Sequence, residues 1–186
     1  MKHIPLAVLA LALAGPAQAA DGEVVTHQTN AGTLDGEGFA HVDTVTGNLS
    51  LDMPCKFSEM SFADAPMEDG KSPYAKSATV LACSDVAARG GALVLRAWYD
   101  TGATGADHFF DTQVKNDAKK GKIEQLTFKG DRAFRTSNRE DGMCRWKQVV
   151  RHGDTLVTLS YFARFDDCST FQPKIDRYFN SLEITE

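Results

Sequence analysis

Beyond residue 20 the 186-residue sequence holds no apolar run long enough to cross a bilayer. Basic charge is not in excess either. Twenty lysines and arginines stand against 25 aspartates and glutamates, a net charge of −5, and that balance argues against a nucleic-acid partner. The four cysteines form no C-x-x-C pair, which removes the spacing of a zinc ribbon and of a thioredoxin-like redox site. There is no H-E-x-x-H, no G-x-S-x-G and no G-x-x-x-x-G-K-[ST] phosphate loop. Internal repeats are absent as well.

What is present begins with an export signal. The opening "MKHIPLAVLALALAGPAQAADGE" places one lysine before an apolar run from Ile4 to Ala14, a Gly15–Pro16 break, and small residues at Ala17 and Ala19. This is the anatomy of a secretory signal peptide spanning 1–20, and the run is short for a membrane span. The expected location is the periplasm or the secreted space, with no membrane insertion after cleavage. Setting Lys2 aside moves the net charge to −6. The roughly 166 residues that remain suit one domain with a good core.

An even number of cysteines in an oxidising compartment reads as a disulfide framework. Cys55, Cys83, Cys144 and Cys168 allow three connectivities. Pairing Cys55 with Cys83 and Cys144 with Cys168 joins neighbouring elements, and each bond would contribute roughly 3–4 kcal/mol by the chain-entropy argument.

Along the chain, 21–38 is rich in Gly, Thr, Asn and Asp and reads as a flexible N-terminal arm. "FAHVDTV" and "NLSLDM" read as strands around a "TGN" turn. Residues 58–75 carry two prolines, a glycine and the acidic Glu59, Asp64, Glu68 and Asp69, and read as a long loop. "KSATVLACS" and "GGALVLRAWYD" are strands. "TGATGADHFFDTQVKNDAKKGK" reads as a helix capped at Thr104 or Asp107 and closed at Gly121. "IEQLTF", "RAFRTS", "MCRWKQVV" and "TLVTLSYFAR" form a meander through "KGD" and "RHGD" turns. A closing helix carries Phe171, Ile175, Tyr178, Phe179 and Leu182 on one stripe, with Ser169 or Asp167 as cap and Pro173 in the first turn. Residues 39–186 thus predict a single α+β domain, an antiparallel sheet flanked by amphipathic helices.

The pieces "NLSLDMPCKF", "GDRAFRTS", "MCRWKQVV", "DTLVTLSYF" and "FNSLEI" follow one another in an order that resembles the Mog1/PsbP-like fold, over about residues 48–186. The four cysteines depart from it. The resemblance implies an α/β/α sandwich and a non-catalytic accessory role, since members of that family act as binding partners or chaperones of other proteins. It supplies no shared catalytic residues, and none is carried over.

Among the histidines, His41 and Asp43 share a strand face and His108 and Asp111 stand three apart on the helix. Either pair could seed a metal site or an acid/base couple, but each reads first as a solvated polar pair. His27 lies in the arm and His152 in a turn. "TGATGA", Thr101 to Ala106, could cradle an anion but lacks the lysine of a phosphate loop. "DDC" and "MEDG" lack the alternating oxygens of a calcium loop. No cofactor or metal is expected.

The charge pattern is more informative. From Lys129 to Arg151 seven basic residues (Lys129, Arg132, Arg135, Arg139, Arg145, Lys147, Arg151) stand against Asp131, Glu140 and Asp141. If register joins Arg135 and Arg139 to Arg145, Lys147 and Arg151, one basic patch results, with Arg96 and Trp98 as a neighbouring anchor. These features predict a non-catalytic protein-binding module of accessory, chaperone-like or immunity/inhibitor type. The alternative is a small-molecule or lipid carrier, or a hydrolase, with a pocket between sheet and helix.

Overall fold

The computed structural model describes residues 23–45, 48–63, 75–86, 88–99, 102–164 and 168–185. The expected signal peptide and Asp64, Glu68 and Asp69 lie outside these residues. In chain order the elements are β1 (Glu23–Ala31), β2 (Ala40–Asp43), β3 (Leu49–Met53), β4 (Phe57–Ala63), β5 (Ala75–Asp85), β6 (Gly90–Tyr99), α1 (Gly102–Ala118), β7 (Ile123–Phe128), β8 (Asp131–Glu140), β9 (Met143–His152), β10 (Thr155–Arg164), a 3₁₀ turn (Cys168–Phe171), α2 (Gln172–Asn180) and β11 (Glu183–Ile184).

Eight strands form one antiparallel sheet in the order β1-β4-β5-β6-β10-β9-β8-β7, and β11-β3-β2 form a second, small one. The β7–β10 meander turns on two-residue loops. Lys129–Gly130 and Asp141–Gly142 both hold positive φ at both positions, the geometry whose twist matches the strands it joins. Helix α1 packs on one face of the large sheet, where Ala106 and Phe110 meet Ala97, Phe134, Val149 and Leu156. The small sheet and α2 pack on the other, where Leu51, Met53, Ile175, Tyr178 and Phe179 join Leu81, Val94, Val157, Leu159 and Tyr161 in the larger core. The α+β class and the sheet between helices are therefore as expected, with the small second sheet as an addition.

Two segments read as irregular are strands. The expected N-terminal arm supplies β1, whose Glu23–Ala31 pairs antiparallel with β4 as an edge strand. The start of the expected 58–75 loop lies in β4. Its pattern misleads because the inward positions after Phe57 are Glu59 and Ser61, both buried, in place of apolar residues. Helix α1 begins at Gly102, ahead of Thr104 and Asp107. Helix α2 follows the 3₁₀ turn, has no side-chain cap, and carries its proline at the first turn.

The disulfides join Cys55 to Cys83 and Cys144 to Cys168, each with 5.7 Å between Cα atoms. The first links the end of β3 to β5. The second anchors the 3₁₀ turn, and through it α2, to β9. Strand β6 starts so close to β10 that a Cβ on Gly90 would stand 1.9 Å from the carbonyl oxygen of Phe162.

Candidate functional site

The register of the β8–β9 hairpin decides the fate of the basic patch. Arg135 pairs with Gln148 and Arg139 with Cys144, whereas Arg145 pairs with Asn138 and Lys147 with Thr136. Side chains alternate along each strand. Arg135 and Arg139 therefore lie on the α2 face, and Arg145, Lys147 and Arg151 lie on the α1 face. Arg96 pairs with Val157 and Trp98 with Thr155, which puts both on the α2 face too. The single patch is thus split. Arg135 bonds Gln148 Oε1 at 2.5 Å and Asn180 Oδ1 at 2.7 Å. Trp98 donates to Asp154. Burial pushes the Arg96 guanidinium below its ordinary value, against the pull of Asp154.

On the α1 face the three remaining cations differ. The Arg151 Nε lies 3.1 Å from Asp107 Oδ1, and Arg132 reaches Asp107 at 3.1 Å and Asp111 at 2.9 Å. These contacts hold α1 to the meander. Lys147 meets Asp117 at 2.7 Å near the end of α1. Arg145 stands 3.6 Å from Glu140 with its side chain half exposed.

Helix α1 does not cover the whole face. Leu93 and Leu95 on β6 and Phe162 on β10 are each about 40% exposed (41%, 38% and 39%). Met60 and Val80 are half-buried beside them. An open groove of about 560 Å³ continues from the last turn of α1 to Phe162, and Lys120, Arg145, Lys147, Met143 and Ser160 line it. Sequence reading missed the apolar part of this surface. Leu93 and Leu95 share their face of β6 with Ala97, and their residue types do not tell the one that α1 covers from the two it leaves open.

The α2 face carries polar networks. Its recesses are smaller, about 230 Å³ beside α2 and about 310 Å³ beside the 3₁₀ turn. Glu59 is fully buried and accepts the Val45 N–H at 3.0 Å. Burial raises its carboxyl above the ordinary range, opposed by that N–H and by Ser61. Asp85 accepts the Tyr161 hydroxyl at 3.0 Å and the Ala88 N–H at 3.1 Å, and pairs with Lys174. Burial alone would raise Asp85, but Lys174 and the Ala88 N–H outweigh it and hold it low. Arg177 of α2 bonds Asp52 at 3.0 Å, Asp35 at 2.6 Å and Glu37 at 2.6 Å, and stacks 4.1 Å from the Phe39 ring centre.

The four histidine candidates stand apart from one another, each with its own neighbours. His41 Nδ1 stands 3.0 Å from Asp52 Oδ1 and its Nε2 stands 3.3 Å from Ser50 Oγ, with Asp43 at 3.8 Å. This resembles an acid–histidine–serine relay on paper. It lies on the exposed outer face of the small sheet, its carboxylate is shared with Arg177, and the pairing of β3 with both β2 and β11 commits the strand's backbone to the ladder. Asp111 bonds Arg132, while His108 packs edge-on to Phe109. His152 bonds Asp131 at 2.7 Å and His27 lies 3.4 Å from Thr29. Among the described residues no three His, Cys, Asp or Glu side chains gather as metal ligands. No described helix is long and apolar enough to cross a membrane.

No family of known sequences matches the chain. No curated protein matches it. Among solved structures it is similar to the cyanobacterial PsbP protein CyanoP from Synechocystis, at 15% identity and a TM-score of 0.48, over 84% of this chain and 98% of that one. It is also similar to a Bacteroides thetaiotaomicron protein, at 13% identity and a TM-score of 0.49, over 81% of this chain. This chain spans about half the length of the Bacteroides protein, 49%.

Proposed function

We propose that the protein is an exported, non-catalytic protein-binding module, and that it binds through the part of the large sheet beside α1. One observation carries the reading. Leu93, Leu95 and Phe162 are exposed together, on a sheet face that continues into Arg145 and Lys147. Clustered apolar surface bordered by polar groups marks an interaction site more often than scattered exposed leucines do. Arginine beside aromatic and aliphatic anchors is a common hot-spot composition. Two disulfides fit an oxidising compartment, and the sequence supports the periplasm or the secreted space.

The competing reading is an amphipathic small molecule held in the 560 Å³ groove, whose volume falls in the range of ligand sites. Native mass spectrometry of the protein drawn from its own compartment separates the two. The expected result is a protein-sized adduct that is lost in the Leu93→Asp/Arg145→Glu variant. A small-molecule adduct, or a protein adduct that survives both changes, overturns the reading.

A further inference from the structure

The uncovered part of the sheet has the shape of a seat for one helix. From β10 through β6 and β5 to β4 there are three inter-strand gaps, a strip roughly 14 Å wide at ~4.8 Å per gap. An α-helix with its side chains is about 10 Å across. The strip's side chains stand in cross-strand rows: Leu95, Val80 and Met60 in one, Leu93 and Ala82 in the next. Phe162 stands over Gly91, where an added Cβ would come 3.2 Å from its ring. Helix α1 meets the neighbouring part of the same face in just this manner, with Ala106 and Phe110 lowered onto aliphatic rows.

The geometry points to an amphipathic helix of a partner protein, acidic along one edge, docking beside α1 with its apolar stripe on Leu93, Leu95 and Phe162. This rests on the protein-binding reading above and names the partner's chemistry. Charge sets the acidic edge. Lys147 and Arg145 lie on β9 in the same rows as Ser160 and Phe162, and with Lys120 they make three cations against Asp117 and Glu140 along the groove, Lys147 being paired with Asp117 and Arg145 held more loosely. The half-exposed guanidinium of Arg145 stands 3.6 Å from Glu140, a loose approach that leaves room for a closer carboxylate.

An extended strand is a poorer occupant. Strands β4, β5, β6 and β10 each have neighbours on both sides, so their backbones offer no edge for strand addition. A second copy is poorer too. The apolar residues of α2, Ile175, Tyr178 and Phe179, are buried in its own core, as are Ala106 and Phe110 of α1. Neither described helix has an apolar stripe left to lend.

The test uses a fluorescein-labelled 18-residue peptide with leucines at i, i+3, i+4 and i+7 and glutamates along one flank. Its binding to the mature disulfide-bonded protein is read by anisotropy. Two controls carry lysines in place of the glutamates, or the same composition broken by a central proline. The expected result is binding of the acidic helix that weakens about 10-fold or more in Leu93→Asp and in Arg145→Glu, with circular dichroism unchanged, and weaker binding of both controls. Equal binding of the proline-broken peptide overturns the helix while leaving a protein-binding surface. Failure of the acidic helix to bind, alongside a native protein adduct that depends on Leu93, also overturns the helix and spares the surface. A dimer in light scattering that Leu93→Asp dissolves assigns the strip to a second copy and overturns the inference.

Discussion

Glu59 of β4 receives the backbone N–H of Val45 at 3.0 Å, so a buried carboxyl joins the large sheet to the turn between β2 and β3. Around it Ser61 bonds Thr79 at 3.3 Å. Burial favours the protonated form of Glu59. The folded chain therefore binds this proton more tightly than the unfolded chain does. Its contribution favours folding at acidic pH and declines as pH rises above the ordinary glutamate value of 4.5. Glu59→Gln keeps the shape and an acceptor for Val45 and removes the charge. Urea unfolding at pH 4 and pH 8 should show the wild type losing more stability than the variant between the two. A variant that loses as much stability as the wild type between the two contradicts this account.

The Arg177 cluster has the opposite pH sign. The Phe39 N–H and then Arg177 hold the Asp35 carboxyl down at about 2. Burial alone would raise Asp52, but His41 and Arg177 outweigh it and hold it below the usual range. Stability from these carboxylates is present above the ordinary value of 3.8 and is lost as pH falls toward about 2. Amide signals of α2 should broaden or shift in that window, ahead of those of the meander. At neutral pH Arg177→Ala should cost about 1–2 kcal/mol, since the guanidinium is partly exposed but also stacks on Phe39. Arg177→Lys should recover little, because an ammonium cannot reproduce the three-way fork.

Removing the Cys144–Cys168 bond by Cys144→Ala/Cys168→Ala should cost about 3–4 kcal/mol, given a separation of 24 residues. Denaturation midpoints with and without reductant, compared with the double variant, check this. Reductant should not shift the Cys144–Cys168 contribution once both cysteines are gone.

Gly90→Ala should lose roughly 1–3 kcal/mol as backbone is forced away from backbone, because its Cβ would meet the Phe162 carbonyl at 1.9 Å. Gly36→Ala, where nothing lies within 4 Å, should stay within about 0.5 kcal/mol of wild type. Thermal melts of the two variants side by side test the contrast.

The meander was legible because "KG", "DG" and "GD" punctuate strands of alternating burial, and the closing helix because Ile175, Tyr178 and Phe179 recur at helical spacing. The same turns held information that went unread. A two-residue loop at Asp141–Gly142 pairs odd-numbered positions of β8 with even-numbered positions of β9. Arg135 and Arg145, both odd, must then face opposite ways. Strand β4 was hidden for another reason: its buried side chains include Glu59 and Ser61, and a polar interior does not announce itself as alternation. Strand β1 was hidden because Thr29, Asn30 and the rest of an exposed edge resemble a loop in composition.

The small sheet gathers strands from far apart in the chain. Ile184 of β11 pairs with Leu49 of β3, and Ser181 bonds the Asp52 N–H at 2.9 Å. Such distant contacts close late, since their loop entropy must be offset by structure already formed. Strand β3 therefore keeps one edge unpaired until β11 is in place. The β2–β3 hairpin joins neighbouring residues, so the pairing of β3 with β11 is the slower of its two seams.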